Sequence, residues 1–292
     1  MSNTRCPICK NTISRPAIKT PKMQVWQCGA CGVSFVPKRT IQAPTDVDYF
    51  DTYALDRYIG YYKPFRTKVF KENWKVITGI IPTGRAIDVG ASFGWFIACA
   101  PKGWNVEGID KSRKVAEYAS ASGIKVTAGD ETVLKARHEY YDAITLHNVF
   151  EHLANPLGAL GIFHKALKRD GLLVLAIPNK TGLFNRLAYL LSLLHIYHPL
   201  YIMFQMETPS PHYMYYSRQT IADVLRQKGF TPLIIKGQPI IDIANLDRKL
   251  QLEGTTNWLN KLLAKIGVFV VYHLSILLDM PDEIIVYAAK RE

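Results

Sequence analysis

The chain has 292 residues, of which 48% are hydrophobic and 21% are charged, and its formal net charge is +12. The length exceeds that of a minimal domain, and the composition excludes a non-globular chain. The basic excess is densest in residues 1–45, which hold seven Lys or Arg and no Asp or Glu. Such a surface favours RNA, anionic lipid headgroups or phosphorylated carriers, with generic solubility as the alternative.

The first ten residues are polar and contain cysteine, without an apolar stretch. We therefore expect no signal peptide, a cytoplasmic location and reduced cysteines. Two cysteine pairs follow the pattern C-x2-C-x18-C-x2-C, at Cys6, Cys9, Cys28 and Cys31. Each pair fits one tight turn, and a hairpin in the spacer brings the pairs together. The pattern predicts a zinc ribbon over residues 1–40, with two disulfides as the alternative. Four thiolate ligands leave no open position, so this zinc is predicted to be structural.

Residues 41–80 are predicted as a linker followed by a helical region. From residue 81 onward, apolar strands alternate with amphipathic helices. The predicted strands are 85–89, 104–109, 124–128, 141–146, 171–177, 231–236 and 283–289, and the predicted helices are 93–101, 112–122, 156–168 and 217–228. This alternation predicts an α/β fold with a doubly wound, mostly parallel seven-stranded sheet over residues 81–292.

Candidate ligand-binding residues follow the ends of the first three predicted strands. Asp88 precedes a turn with glycines at both ends, Gly90 to Gly94, where the backbone can approach a ligand closely. Asp110 ends the second strand and can accept both hydroxyls of a ribose. Asp130 closes the third and can bind an adenine amino group. Because ligands of such sheets bind beyond the carboxyl ends of the strands, these residues predict a nucleoside site.

Several blocks of the chain resemble the class I S-adenosylmethionine (SAM)-dependent methyltransferase family. They are Asp88-Val-Gly-Ala-Ser-Phe-Gly94, Gly108-Ile-Asp110, Gly129-Asp130, the run from Tyr141 to Pro156, and Gly171 to Pro178. Pro211 to Ser217 with Lys228-Gly-Phe230 resembles the branch that methylates small molecules and quinone-type precursors. The resemblance implies SAM as cofactor and methyl transfer as the reaction.

The resemblance also implies a set of SAM-binding residues: Asp88, Gly90, Ala91, Ser92, Gly94, Asp110, Lys111, Asp130, Glu131, His147 and Asn148. One of them departs from the family pattern, because Ser92 stands where a glycine is usual. The rival is an NAD-binding Rossmann domain, but this turn lacks two glycines of the G-x-G-x-x-G pattern.

Four residues are candidates for the chemistry: His147, Glu151, His152 and His212. Methyl transfer from a sulfonium is an in-line displacement, which requires an aligned nucleophile and often a base that removes its proton. A hydrogen-bonded structural imidazole is the alternative for His147. A supporting or helix-capping role is the alternative for Glu151 and His152.

Two apolar insertions are predicted near residues 183–206 and 240–280, with the apolar runs at 187–206 and 257–278. Both follow strand ends on the ligand-binding side. They therefore predict a hydrophobic lid over the acceptor pocket or a surface around it that lies on a membrane. A transmembrane span, a homodimer interface and an enlarged core are the alternatives.

The sequence therefore predicts a SAM-dependent methyltransferase that modifies an oxygen or carbon of a small, hydrophobic or lipid- or carrier-linked acceptor. It is expected to be cytoplasmic, with peripheral contact to the anionic inner face of a membrane. A zinc-ribbon methyltransferase for ribosomal RNA bases is the alternative, since a basic ribbon suits a polyanion. A non-catalytic SAM-binding protein is a third.

Overall fold

The structure is a computed structural model, and it describes residues 4–13, 15–37, 48–52, 55–206, 208–252 and 257–291. Its strands are β1 (Thr4–Arg5), β2 (Thr12–Ile13), β3 (Ile18–Lys19), β4 (Gln24–Gln27), β5 (Ser34–Phe35), β6 (Gly84–Val89), β7 (Trp104–Asp110), β8 (Val126–Ala128), β9 (Tyr141–His147), β10 (Leu167–Pro178), β11 (Met214–Tyr215), β12 (Phe230–Gln238) and β13 (Glu283–Lys290). Its α-helices are α1 (Leu55–Ile80), α2 (Trp95–Ala98), α3 (Arg113–Ala121), α4 (Pro156–Ala166), α5 (Leu183–Leu193), α6 (His198–Met203), α7 (Arg218–Arg226), α8 (Leu246–Leu252) and α9 (Trp258–Leu277). The predicted linker lies largely at 38–47, outside the described residues.

The central sheet has seven strands in the order β12-β13-β10-β9-β6-β7-β8. The pairs among β6 to β10 are parallel, whereas β13 runs antiparallel to both of its neighbours. The predicted doubly wound, mostly parallel seven-stranded sheet is confirmed. The helix predicted over 93–101 is shorter than expected and ends before Pro101, because proline disfavours helical backbone in the residue that precedes it.

The reversed strand β13 brings its first residue to the ligand-binding edge. Glu283 lies opposite Pro178, the last residue of β10, and opposite Gln238, the last residue of β12. The carboxyl ends of β6, β7 and β9 meet at the same edge. A charged residue at the start of the last strand is therefore placed beside the strand ends of the parallel part.

Helices cover both faces of the sheet. On one face Phe70, Trp74 and Ile77 of α1 pack against sheet residues that include Ala86 and Val174. On the other face α4 and α7 contribute a second core, with Leu160, Phe163 and Ile221 fully buried. Burial of each such side chain stabilises the fold by about 1.5–3 kcal/mol, so the sheet is held from two sides.

The N-terminal ribbon is joined to the domain of the central sheet by backbone pairing. In the ribbon, β3 and β4 form the hairpin expected in the spacer, and β4 pairs with β5. Strand β5 then pairs with β11, far along the chain, and Val36 N donates to Tyr213 O at 2.9 Å. Lys180 Nζ also donates to Gly32 O at 2.7 Å. The ribbon therefore braces the segment that precedes α7.

The two predicted insertions form α5 and α6 in one case and α8 and α9 in the other, and α5 contacts α9. Helix α9 exposes large apolar side chains along most of its length: Trp258, Leu259, Leu262, Leu263, Ile266, Phe269, Val270, Leu274, Ile276 and Leu277. Among the described residues, none of the helices has the length and hydropathy required of a membrane span.

Candidate active site

The turn after β6 is shaped by glycines whose backbone other residues do not readily adopt. Gly90 has φ 74°, and a Cβ added there would lie 2.3 Å from Cγ2 of Val149. Its N–H and that of Ala91 both donate to the carbonyl of Ile109, which ties the turn to β7. Ser92 has φ 49°, so this position requires the left-handed backbone that favours glycine. The departure from the family pattern thus keeps the conformation and changes only the side chain.

Asp110 connects this turn to the start of α3. Its carboxylate accepts from Ser92 N and from Ser112 N, both at 2.8 Å. Burial raises the pKa of Asp110, whereas these two N–H groups oppose the increase and the nearby Asp48 carboxylate adds to it. The carboxylate at a strand tip beside a close-approach glycine turn fits a ribose with two free hydroxyls.

Asp130 follows β8 and flanks the turn after β6. Its Oδ1 accepts from Thr132 N at 2.9 Å, and the hydroxyl and N–H of Thr132 lower its pKa. Gly129 N donates to Asp110 O, which brings the second and third strand tips together. Lys111 is exposed and Glu131 is half-buried on either side of these tips. The structure therefore gathers the predicted ribose and adenine residues in one place.

The side chains of Asp88 and His147 are buried next to each other. Thr145 Oγ1 donates to Asp88 Oδ1 at 2.6 Å, and His147 Nδ1 lies 3.3 Å from the same oxygen. The other ring nitrogen of His147 is 3.5 Å from Asn73 Nδ2 on α1. Its ring also contacts Phe96, so both nitrogens of this imidazole are occupied inside the protein. Its role in catalysis stays a prediction.

Glu151 is the most unusual group at the edge. Its side chain has no exposed surface, and neither carboxylate oxygen has a hydrogen-bond partner. Burial raises its pKa to about 8; the nearby Glu283 adds to the increase and Arg66 opposes it. A buried carboxyl without a partner costs folding free energy, and such groups concentrate at functional sites.

Two histidines stand next to Glu151. His212 Nε2 lies 3.9 Å from a Glu151 oxygen, and the rings of His152 and His212 have centroids 4.7 Å apart. Burial lowers the pKa of His152 to about 4 and that of His212 well below its usual range. Three of the four predicted chemical residues are thus brought together, whereas His147 lies apart from this cluster.

A further polar cluster contains the predicted residue Asn148 and three residues that sequence reasoning missed, Arg66, Gln238 and Glu283. Asn148 Nδ2 donates to Glu283 Oε2 at 2.6 Å, and Gln238 Nε2 donates to the other carboxylate oxygen. Arg66 of α1 lies 3.7 Å from the same carboxylate. The available signal was topological, because an antiparallel last strand must begin at the ligand-binding edge. No local motif marks Arg66 or Gln238.

A cavity of about 270 Å³ adjoins this cluster. It is lined by the end of β12, including Gln238, and by residues of both apolar insertions, Phe184 on α5 and Tyr272 and Ile276 on α9. Asp282 closes another side. The lining is apolar with a few polar groups, which is the usual character of a small-molecule site.

The four ribbon cysteines converge as the spacing predicts. Cys6 Sγ lies 3.5 Å from Cys31 Sγ, and Cys9 Sγ lies 3.4 Å from Cys28 Sγ. All four sulfurs are within 4.8 Å of one another, and none forms a disulfide. A tetrahedral zinc with bonds of about 2.3 Å separates its sulfurs by about 3.8 Å, so the cluster fits that ion.

Comparisons with known proteins agree with this geometry. The model of a family described as "Methyltransferase domain" matches residues 61–234, more than half of the chain. Uncharacterized protein MJ1123 of Methanocaldococcus jannaschii is 26% identical over 144 residues, which are 48% of this chain and 66% of that protein. The match thus spans just under two thirds of the relative.

Two solved structures share the fold at low identity. A SAM-dependent methyltransferase from Archaeoglobus fulgidus is 19% identical with a TM-score of 0.51, covering 77% of this chain and 94% of that one. The cyclopropane synthase MmaA2 from Mycobacterium tuberculosis is 17% identical with a TM-score of 0.52, covering 71% and 78%. Together with the family match, the strand order and the glycine turn, these findings show that the chain belongs to the class I SAM-dependent methyltransferase family.

Proposed function

We propose that this protein transfers a methyl group from SAM to a hydrophobic acceptor, either a small molecule or one carried on a lipid. The cavity between β12, α5 and α9 is the observation that carries the proposal. Both apolar insertions line it, and Gln238 connects it through Glu283 to Asn148 beside the cofactor turn. An acceptor in this cavity lies at the same edge of the sheet as the predicted cofactor residues.

The chain's own residues have distinct roles in this proposal. Asp110 binds the ribose hydroxyls, Asp130 contacts the adenine, and the Gly90 turn admits the cofactor close to the backbone. SAM, when bound, supplies an electrophilic methyl group. Glu151, His152 and His212 are the polar groups that hold the reacting group of the acceptor in place. Tight positioning in the cavity supplies the alignment that displacement requires.

The ribbon is proposed to hold one structural zinc ion through its four cysteines. Its support is the convergence of four free sulfurs, all within 4.8 Å of one another. Four thiolates leave no open position for substrate. The ribbon therefore acts on the reaction through its contacts with the rest of the chain, among them the pairing of β5 with β11 beside His212.

The exposed apolar face of α5, α6 and α9 is proposed to rest on an anionic membrane. Leu193, Leu194 and Ile202 extend the apolar surface of α9, and the chain carries a net charge of +12. Basic groups attract an anionic leaflet, and apolar side chains then insert at its boundary. A lipid-linked acceptor would enter the adjoining cavity directly from that surface. An apolar face of this size suits a phosphate backbone poorly, which disfavours the RNA alternative.

Methyl-labelled SAM, added with the protein to a cell lysate, tests the acceptor class. We expect label in the organic-solvent extract. Label mainly in RNA would overturn the proposal in favour of a ribbon-guided RNA methyltransferase. Label mainly in water-soluble small molecules would overturn the lipid-linked acceptor alone.

Flotation with phosphatidylglycerol-containing vesicles tests the membrane surface. We expect Ile266→Glu on α9 to abolish co-migration that the unaltered chain shows. Leu233→Glu, a matched exposed position on β12, should leave it unchanged. A concentration-dependent dimer without co-migration would show instead that a second copy covers this face.

A further inference from the structure

We propose that Glu151, His152 and His212 form a second metal site, which binds a divalent first-row transition ion at the acceptor end of the active site. One potential ligand atom from each residue lies within 4.8 Å of the others. The proposal deepens the function proposed above, on which its catalytic meaning rests. The metal site itself stands on the three side chains and their surroundings.

The Glu151 carboxyl is the first line of support. It is completely buried, and both of its oxygens are without a hydrogen-bond partner among the described residues. His212 Nε2, at 3.9 Å from one of these oxygens, is beyond hydrogen-bond distance and does not satisfy it. A bound cation would satisfy these oxygens.

The hydrogen bonds of the two histidines are the second line of support. His152 Nδ1 lies 2.9 Å from the carbonyl of Pro211, which can only accept, so Nδ1 carries the proton. Tyr215 donates its hydroxyl proton to Met203 O, and therefore its oxygen accepts from His212 Nδ1 at 3.0 Å. Both rings are thereby fixed in the tautomer with a free lone pair on Nε2.

This arrangement is how proteins prepare histidines for metal binding. Ligating imidazoles usually donate their second nitrogen to a carbonyl or another oxygen, which fixes the ring and its tautomer. The hydrogen bonds to Pro211 O and to the Tyr215 hydroxyl therefore leave Nε2 of each ring as the nitrogen that can coordinate a metal. Two imidazoles and one carboxylate suit Zn²⁺, Fe²⁺ or Mn²⁺ rather than Ca²⁺ or Mg²⁺.

Three protein ligands leave at least one coordination position open, in contrast to the closed four-cysteine site of the ribbon. The acceptor cavity is connected to this part of the site by a hydrogen-bonded chain from Asn148 through Glu283 to Gln238, which lines the cavity. An oxygen of the acceptor is the group that such an open position takes. The inference therefore narrows the acceptor to a molecule with a hydroxyl group, methylated on oxygen.

Cobalt titration of the full-length protein tests the site, since the two proposed centres differ in their spectra. We expect two Co²⁺ per chain. The ribbon ion gives intense thiolate-to-metal bands in the near ultraviolet, and the second ion gives only weak visible bands. Glu151→Gln and His212→Gln should each lower the affinity for the second ion by about 10-fold or more and leave binding of the first ion unchanged. His138→Gln, which replaces an exposed histidine, should leave binding of both ions unchanged.

A SAM-binding isotherm for each variant separates loss of the ion from loss of the fold. Variants that bind SAM normally but lack the second cobalt support the site. A single cobalt per chain in the unaltered protein that binds SAM would overturn the metal proposal and leave the proposed methyl transfer intact. Two cobalt ions in a protein that binds no SAM would instead contradict the proposed function. Unchanged cobalt binding in both variants would also overturn the site.

Discussion

The ligand-binding edge of the sheet has two halves that are built differently. The cofactor half, at the ends of β6, β7 and β8, consists of tight turns whose carboxylates accept from nearby backbone N–H groups. The acceptor half, named for the proposed function and located at the ends of β9, β10 and β12 and the start of β13, consists of buried polar side chains. Several of these have atoms without a partner, among them Glu151, Asn148 and Gln238.

The difference is the one that the proposed function predicts. A shared cofactor can be recognised by backbone and a few strand-tip acids, so this half is compact in sequence, from Asp88 to Asp130. A particular acceptor requires side chains from distant segments, and here they come from α1, the turn after β9, the segment before β11 and the start of β13. Unpaired buried groups are costly, and they persist where a ligand completes them.

Loss of the ribbon's zinc should distinguish the two halves most clearly. Cys28→Ser removes one of four zinc ligands, and structural zinc contributes apparent binding free energies of about 10–16 kcal/mol. The β5–β11 pairing and the Val36–Tyr213 bond should then be lost. We expect faster hydrogen exchange in residues 208–217 while SAM affinity, measured by calorimetry, stays within about 2-fold because the halves are independent. Equal damage to SAM binding would show that the ribbon supports both halves.

Gly90→Ala should disrupt the cofactor half through sterics. The new Cβ would lie 2.3 Å from Val149 Cγ2, at a φ of 74° that alanine rarely adopts. We expect stability to fall by about 1–3 kcal/mol and SAM to bind more weakly. Thermal denaturation measures the first effect and calorimetry the second. Gly161→Ala on α4 is the matched control, since its Cβ meets open space. That control should stabilise the helix by up to about 1 kcal/mol.

The sequence predicted the cofactor half because its signals are local. A strand, a glycine turn and a strand-tip acid lie within a few residues of one another, and the same local periodicity predicted every strand of the central sheet. Glu151, His152 and His212 were also named from sequence, although nothing in their spacing indicates that they converge.

Other residues depend on topology and could not be found locally. Glu283 reaches the site only because β13 is antiparallel, and Arg66 only because α1 crosses the edge. The pairing of β5 with β11 joins segments about 180 residues apart, and no periodicity encodes such a contact. The sequence overestimates the length of helix α2, because the apolar pattern continues past the point where Pro101 ends the helix.

Asp110→Asn probes ribose recognition within the cofactor half. The amide still offers one oxygen acceptor, so one backbone N–H stays paired, but the second acceptor for the ribose is lost. We expect SAM affinity to fall about 10- to 100-fold, since hydrogen bonds to a charged group contribute about 1.5–3 kcal/mol. Calorimetric titration measures it, with the exposed Glu117→Gln on α3 as the control. Unchanged affinity would remove Asp110 from the cofactor site.

Asp282→Asn probes the cavity wall of the acceptor half through pH. Burial raises the pKa of Asp282 to about 6, and the N–H groups of Asn185 and Phe184 only partly offset this. Since the folded pKa exceeds the unfolded value of about 3.9, the native state binds the proton more tightly. Its contribution to stability is therefore complete below about pH 4 and is lost as pH rises through about 6.

The asparagine variant should remove this dependence, because its amide does not titrate but can still accept from Asn185 N. We expect the free energy of unfolding to vary with pH less steeply between about pH 4 and 6, with a gain at pH 7 of about 1–2 kcal/mol over the unaltered chain. Urea unfolding across that range measures it, and the exposed Asp170→Asn should retain the original slope. Parallel curves for the Asp282 variant and the unaltered chain would mean that Asp282 stays ionised in the fold. The cavity would then be wet and suited to a polar acceptor.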